Sequence, residues 1–293
     1  MPKKIICYGE MLWDIFPKES IAGGAPMNVA LQLHHLGLNV EMISRIGDDK
    51  LGNKLLAFVK DFGLSDTFIQ KDPVHPTGTV IVNDQDKENI RYEIVKPAAW
   101  DYIQWTEDMG KALKNADALI FGTLAARSEE SKATLDKLLE FPILKIADIN
   151  LRAPFYSADL IEHLLTKANI LKINEEELTL LADFYDLPSK MEAALEKLNE
   201  LFDFDLICVT LGSKGAVLYQ DGEIISHPGY PVTVKDTVGA GDAFLAGFVS
   251  RYLANESPEK ILDFACALGA LTTTYSGGTP VYKMEDIYRI QNL

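Results

Sequence analysis

Nine residues, Asp236-Thr237-Val238-Gly239-Ala240-Gly241-Asp242-Ala243-Phe244, join a glycine-rich turn to a carboxylate and then run into an apolar, helix-favouring stretch. Two glycines flanking alanine at a helix start leave backbone N–H groups bare and close together, where the helix dipole is positive. Such a place suits a phosphate. The amides of Gly239, Ala240 and Gly241 are therefore expected to stabilise the oxygens of a phosphoryl group in transfer. Asp242, in the first helical turn, is expected to accept the proton of an attacking hydroxyl. The helix start keeps that carboxylate ionised, and a loose phosphoryl-transfer transition state needs only a modest base. A base of this kind contributes about 10²–10⁴ in rate. No Gly-x-x-x-x-Gly-Lys-Ser/Thr is present, and Gly239–Phe244 lacks the third glycine of a dinucleotide fingerprint.

A second glycine turn, Ala22-Gly23-Gly24-Ala25-Pro26-Met27-Asn28, opens another helix, with Pro26 in its first turn. Gly23 and Gly24 let a small ligand approach the backbone, and Asn28 offers both a donor and an acceptor to hydroxyls. Asp14, just past the first strand, suits vicinal hydroxyls; the alternative is a surface aspartate beside a capped helix. Arg45, at the end of the second strand, is expected to be mainly structural, with the same pocket in reach. Asp148-Ile149-Asn150-Leu151-Arg152 ends a central strand on polar groups, and Arg152 is read either as a phosphate or substrate contact or as the partner of Asp148. Lys172-Ile173-Asn174-Glu175-Glu176-Glu177 turns a strand into a helix with Asn174 and Glu177 on one side. Thr210-Leu211-Gly212-Ser213-Lys214-Gly215 reads as a tight hairpin turn.

These motifs need a scaffold of strands and helices. Strands are expected at Lys4–Tyr8, Val40–Arg45, Ala118–Phe121, Lys145–Asp148, Ile170–Asn174, Leu206–Thr210 and Ala216–Gln220. Between them lie helical patterns such as Met27–Leu36, Gly52–Phe62, Ser128–Leu139, Ser157–Lys167, Glu175–Asp183 and Lys190–Leu201. This alternation predicts a mainly parallel sheet covered by helices, with ligands at the carboxyl ends of the strands. Thr77–Asn83 and Asn89–Lys96 alternate with period two around a polar turn at Asp84–Glu88. They form either an ordinary edge hairpin or, with Met11–Phe16, a small sheet over the site.

The chain has 293 residues, 47% of them apolar, and a net charge of −15. That balance argues against nucleic acid and anionic membranes as partners, and it obliges a polyanionic substrate to rely on local donors and a metal. Cys7, Cys208 and Cys266 have no metal-type spacing and read as buried thiols of a reducing compartment. The N-terminal apolar run is too short for a signal peptide, so the expected location is cytoplasmic.

Taken together, these motifs resemble the pfkB (ribokinase-like) carbohydrate kinases along essentially the whole chain, and the Ala-Gly-Gly-Ala-Pro-x-Asn wording resembles fructokinases in particular. The resemblance implies a single domain over 1–293 with a three-layer α/β/α architecture and a β-sheet lid from about 11–24 and 75–100. It implies ATP-dependent phosphorylation of a sugar, most simply fructose, with ribose, 2-keto-3-deoxygluconate or a nucleoside as alternative acceptors. A non-catalytic sugar or nucleotide sensor is a further alternative. Asp14, Gly23, Gly24 and Asn28 would hold the sugar, with Arg152 nearby. Lys172, Asn174, Thr210, Gly212, Gly215, Gly239 and Gly241 would meet ATP, and Phe264–Thr274 with Tyr275–Gly278 would wall the adenine. Asn174 and Glu177 would serve Mg²⁺ through its water shell. Backbone carbonyls near Asp236, Val238 and Ser276 would bind a monovalent cation such as K⁺. An exposed lid sheet would allow a homodimer.

Overall fold

The computed structural model describes residues 3–83 and 91–293. The chain begins β1 (Lys4–Tyr8), β2 (Leu12–Ile15), β3 (Ser20–Gly23), α1 (Ala25–His35), β4 (Asn39–Gly47), α2 (Lys50–Asp61), β5 (Ile69–Asp72), β6 (Gly78–Asn83) and β7 (Arg91–Ile94). It continues through α3 (Glu107–Leu113), β8 (Ala118–Phe121), α4 (Glu129–Leu139), β9 (Leu144–Asp148), α5 (Ala158–Leu165), β10 (Ile170–Asn174), α6 (Glu175–Tyr185) and α7 (Met191–Phe202). Last come β11 (Leu206–Thr210), β12 (Ala216–Gln220), β13 (Glu223–His227), α8 (Ala240–Leu253), α9 (Pro258–Thr273) and α10 (Met284–Gln291).

Nine strands form one sheet in the order β13-β12-β11-β10-β9-β8-β1-β4-β5. The pairs β1–β4, β4–β5, β9–β10 and β10–β11 are parallel, whereas β12 and β13 join antiparallel. β1 and β8 are nearly continuous apolar runs, as strands covered on both faces tend to be. Ile5, Ile6, Cys7 and Tyr8 of β1 are fully buried, and so, very nearly, are all four residues of β8. Helices supply the crossovers that parallel pairing demands. Each fully buried Leu, Ile or Phe side chain contributes about 1.5–3 kcal/mol.

Backbone contacts divide the chain into two compact units. The first, residues 1–119 with 125–143, holds a separate four-stranded sheet in the order β3-β2-β6-β7. Leu12, Val80 and Val82 form its small core, with Phe16 and Ile94 packed against them. The β6–β7 hairpin is antiparallel, and β2 runs parallel to β6. The polar turn expected at Asp84–Glu88 lies outside the described residues. The second unit, residues 120–124 with 144–293, carries α8 and α9 and the glycine turn that opens α8. Strands β3, β5 and β13 escape the periodicity reading. They are short, and β5 (Ile-Gln-Lys-Asp) and β13 (Glu-Ile-Ile-Ser-His) end their sheet, so no buried run marks them.

Candidate active site

In the second unit Gly239 caps α8 in the left-handed region, at φ 74°, and a Cβ there would stand 2.3 Å from the Gly278 Cα. Only glycine fits. The Asp236 carboxylate closes the same corner, accepting from Val238 N–H at 3.0 Å and from Gly277 N–H at 2.9 Å. Asp242 follows in the first turn of α8, half-buried. The Ala240 N–H, one of the amides expected to face an anion, donates to the Thr237 carbonyl at 3.3 Å within the turn.

Beneath this turn lies a buried charge. A Cβ on Gly241 would be 3.4 Å from Lys172 Nζ, and that ammonium donates to both Asp148 oxygens, at 3.0 and 3.1 Å. Burial alone would lower the Lys172 pKa, but Asp148, Glu177 and Asp242 outweigh it and hold the group protonated. Lys172 is buried and paired with Asp148, beside Gly241. The alternative Asp148–Arg152 pair is replaced by Asp148–Lys172, while the exposed Arg152 donates to its neighbour's carbonyl, Leu151 O, at 3.1 Å.

Asn174 and Glu177 form a capping box for α6. Asn174 Oδ1 accepts from Glu177 N–H at 2.8 Å, Glu177 Oε2 accepts from Asn174 N–H at 2.9 Å, and Glu177 Oε1 accepts from Leu151 N–H at 2.8 Å. Burial pushes the Glu177 carboxyl upward, with Lys172 opposing. Both carboxylate oxygens thus accept from backbone amides. Among the described residues, no group of three or more His, Cys, Asp or Glu side chains forms a metal cage. Any Mg²⁺ here would be carried on phosphate oxygens and water, as its reluctance to dehydrate allows.

A cavity of about 550 Å³ opens in the same unit. Thr210, Gly212 and Gly215 line it, as expected, together with Thr237, Ala240, Gly241 and Phe244 of the anion turn. Helix α9 contributes Cys266, Gly269, Ala270 and Thr273, within the stretch expected to wall the base, whereas Tyr275–Gly278 is not part of the lining. Burial pushes the Cys266 thiol up to about 12, so it is a packing group in that wall. Cys7 and Cys208 are buried free thiols too. The wall formed by Gly229, Tyr230, Pro231, Val232 and Val234 escaped the sequence reading, because irregular backbone leaves no periodicity.

The first unit gathers the other candidates. Gly24 caps α1 at φ 114°, where a Cβ would meet the Glu10 carbonyl oxygen at 2.5 Å, so the end of β1 packs directly onto the glycine turn. Asp14 reaches over β3, its Oδ2 2.8 Å from where a Gly23 Cβ would stand. Asn28 sits in the first turn of α1 with 5% exposure. Asp14 therefore lies against Gly23, and the Asn28 N–H donates to the Gly24 carbonyl at 2.9 Å. Arg45 does not join them. Its Nε donates to Asp72 at 2.8 Å and its Nη1 to Gln70 at 3.4 Å, which fixes β5 to β4. The nearby Asp49 caps α2 by accepting from Gly52 N–H and also takes up the Thr77 N–H and hydroxyl, which makes it a structural junction.

A glycine turn opening α8, Asp242 in its first turn and a cavity of about 550 Å³ beside it, on a mainly parallel α/β sheet, form the setting that a phosphotransferase needs. Residues 3–283 match the family described as pfkB family carbohydrate kinase, and the chain belongs to that family. It is a sugar kinase. A fructokinase of Klebsiella pneumoniae is 29% identical, with 98% of each chain covered. Among solved structures, a double mutant of Vibrio cholerae O395 fructokinase, in fructose-, ADP- and potassium-bound form, superposes with TM-score 0.85 at 24% identity over 99% of this chain and 98% of that one. The 2-dehydro-3-deoxygluconokinase of Thermotoga maritima gives TM-score 0.85 at 19% identity over 100% and 99%. Among the described residues, no helix is long and apolar enough to cross a membrane.

Proposed function

We propose that the chain transfers the γ-phosphoryl group of ATP to the primary hydroxyl of D-fructose, giving fructose 6-phosphate. The observation that carries this is Asp242 in the first turn of α8, beside the Gly239 and Gly241 amides and the cavity that Gly241 lines. Asp242 takes the hydroxyl proton as the oxygen attacks phosphorus, and ADP leaves. The two amides stabilise charge on the phosphoryl oxygens, and Lys172 beneath offsets part of the local negative charge. Asp14 and Asn28, with the Gly23–Gly24 backbone, hold the remaining sugar hydroxyls, and Arg152 meets phosphate or sugar. Thr210, Gly212 and Gly215 line the nucleotide. Mg²⁺ travels with the triphosphate, and Asn174 and Glu177 act on it through water.

The corner that Asp236 closes onto Gly277 brings Asp236, Val238 and Ser276 into one neighbourhood, which supports a K⁺ site built from their carbonyls. The potassium-bound Vibrio relative lends support. The four-stranded sheet is assigned the lid role within one functional kinase domain. Its exposed Ile81 and Tyr92 favour pairing with a second copy. Three buried thiols suit a reducing cytoplasm.

Fructose is preferred over other acceptors because the Klebsiella fructokinase aligns over nearly its whole length. A panel of fructose, ribose, 2-keto-3-deoxygluconate and nucleosides, assayed for ADP release with ATP and Mg²⁺, tests the choice. Fructose should give the highest kcat/KM. Another acceptor ahead by tenfold would reassign the substrate, and release from none would leave a sensor.

A further inference from the structure

The cavity wall at Gly229, Tyr230, Pro231, Val232 and Val234 belongs to segment 228–239, which has no helix or strand of its own. Without a ladder, such backbone must be held by other groups. Its later end is tied to α9, because the N–H groups of Lys235 and Asp236 both donate to the Thr273 carbonyl, at 2.8 and 3.1 Å.

The earlier end converges on one carboxylate. The Tyr230 hydroxyl donates to Asp263 Oδ1, and the Gln291 side-chain amide, from α10, donates to Oδ2. His227 Nε2 lies 3.4 Å from the same Oδ1. The other imidazole nitrogen, Nδ1, accepts from Gly229 N–H at 3.0 Å. An accepting Nδ1 leaves the ring proton on Nε2, facing Asp263. Asp263 also begins the helical stripe 263, 266, 270, 273, whose other three members line the cavity. Across the segment there is little slack, since a Cβ on Gly215 would fall 1.9 Å from His227 O and 2.4 Å from Gly229 N.

We propose that Asp263 is a positioning residue for the nucleotide, fixing the Gly229–Tyr230 wall through Tyr230 and His227, with Gln291 of the C-terminal helix as its third partner in the clamp. The proposal deepens the kinase reading and rests on it for the identity of the ligand. Asp263 touches no reacting atom. A wall fixed in advance spares the nucleotide the cost of ordering it, so losing the clamp weakens affinity and leaves the chemical step alone.

Calorimetric titration with ADP, beside steady-state kinetics, separates these effects. Asp263→Ala is expected to raise the ADP Kd about tenfold and the ATP KM in step, with kcat and the sugar KM held within about twofold. Tyr230→Phe, which keeps the ring, and Gln291→Leu should each shift ADP affinity the same way by less. A folded Asp263→Ala with wild-type ADP affinity overturns the proposal, even if its Tm falls, because that outcome describes a purely structural clamp. Should Asp263→Ala fail to fold, the two milder variants decide, and unchanged affinity in both overturns it. Wild-type protein that binds no ADP removes the kinase reading and the clamp together. Wild type that binds ADP beside an unaffected variant removes the clamp alone.

Discussion

Asp14 and Lys172 show how much single side chains are asked to do. Asp14 lies against Gly23 and, on the proposed reading, would hold vicinal hydroxyls of the sugar. Losing a charged hydrogen-bond partner costs about 1.5–3 kcal/mol, so Asp14→Ala should raise the sugar KM by about 10–100-fold while the ATP KM stays put. An unchanged sugar KM in steady-state kinetics would move the sugar pocket elsewhere. Lys172 is different, because its ammonium and the Asp148 carboxylate are both buried. Lys172→Met strands a buried anion and should destabilise by about 3–5 kcal/mol in denaturant titrations. Adding Asp148→Leu should recover most of that stability, since a buried pair is often replaceable by apolar groups. A double variant no more stable than the single one would mean that the pair is not the unit.

Elements make such residues useful, and here the sequence was unevenly informative. The buried strands β1, β8, β10, β11 and β12 were legible to the residue, because strands covered on both faces are short, mostly apolar runs bounded by polar or turn residues. The glycine turns were legible too, since positive φ and close backbone approach leave few alternatives to glycine. Asn174 and Glu177 were read toward metal, although the Asn-x-x-Glu spacing is also that of a capping box. Lys172 could not be placed, because sequence does not say which carboxylate a buried lysine meets. The Asp263 clamp was hidden because its four members are scattered between 227 and 291.

Two element-level tests follow from this geometry. Gly239→Ala must force a Cβ into Gly278 at a left-handed position. It should cost more than about 1 kcal/mol and abolish turnover, read by thermal unfolding and ADP release. A variant with wild-type Tm and activity would show that the α8 turn is not constrained. At the β4–β5 junction, burial would raise the Asp72 carboxyl, but the His75 and Val74 amides, the His75 ring and Arg45 hold it down at about 2. Its folded pKa lies below the ordinary 3.8, so the stability it lends is complete above about pH 4 and is lost as pH falls toward 2. Asp72→Asn should therefore lower the denaturant midpoint at pH 7 and flatten its decline between pH 4 and 2. An unchanged decline would assign acid sensitivity to other carboxylates.

For the molecule as a whole, the −15 charge makes a triphosphate an unwelcome guest except where fixed donors await it. On the proposed reading, the Gly239 and Gly241 amides, Lys172 beneath them and a metal carried by the nucleotide itself would answer that need. On the same reading, acceptor choice would rest on the few polar groups of the first unit and phosphoryl transfer on Asp242. The decisive measurement is sugar-dependent ADP release by wild type and Asp242→Asn on the best acceptor, with ADP affinity measured in parallel. Wild type should turn over, and Asp242→Asn should lose at least about 10² in kcat while its ADP Kd stays within about threefold. Near-normal turnover by Asp242→Asn would contradict the assignment of Asp242 as the base.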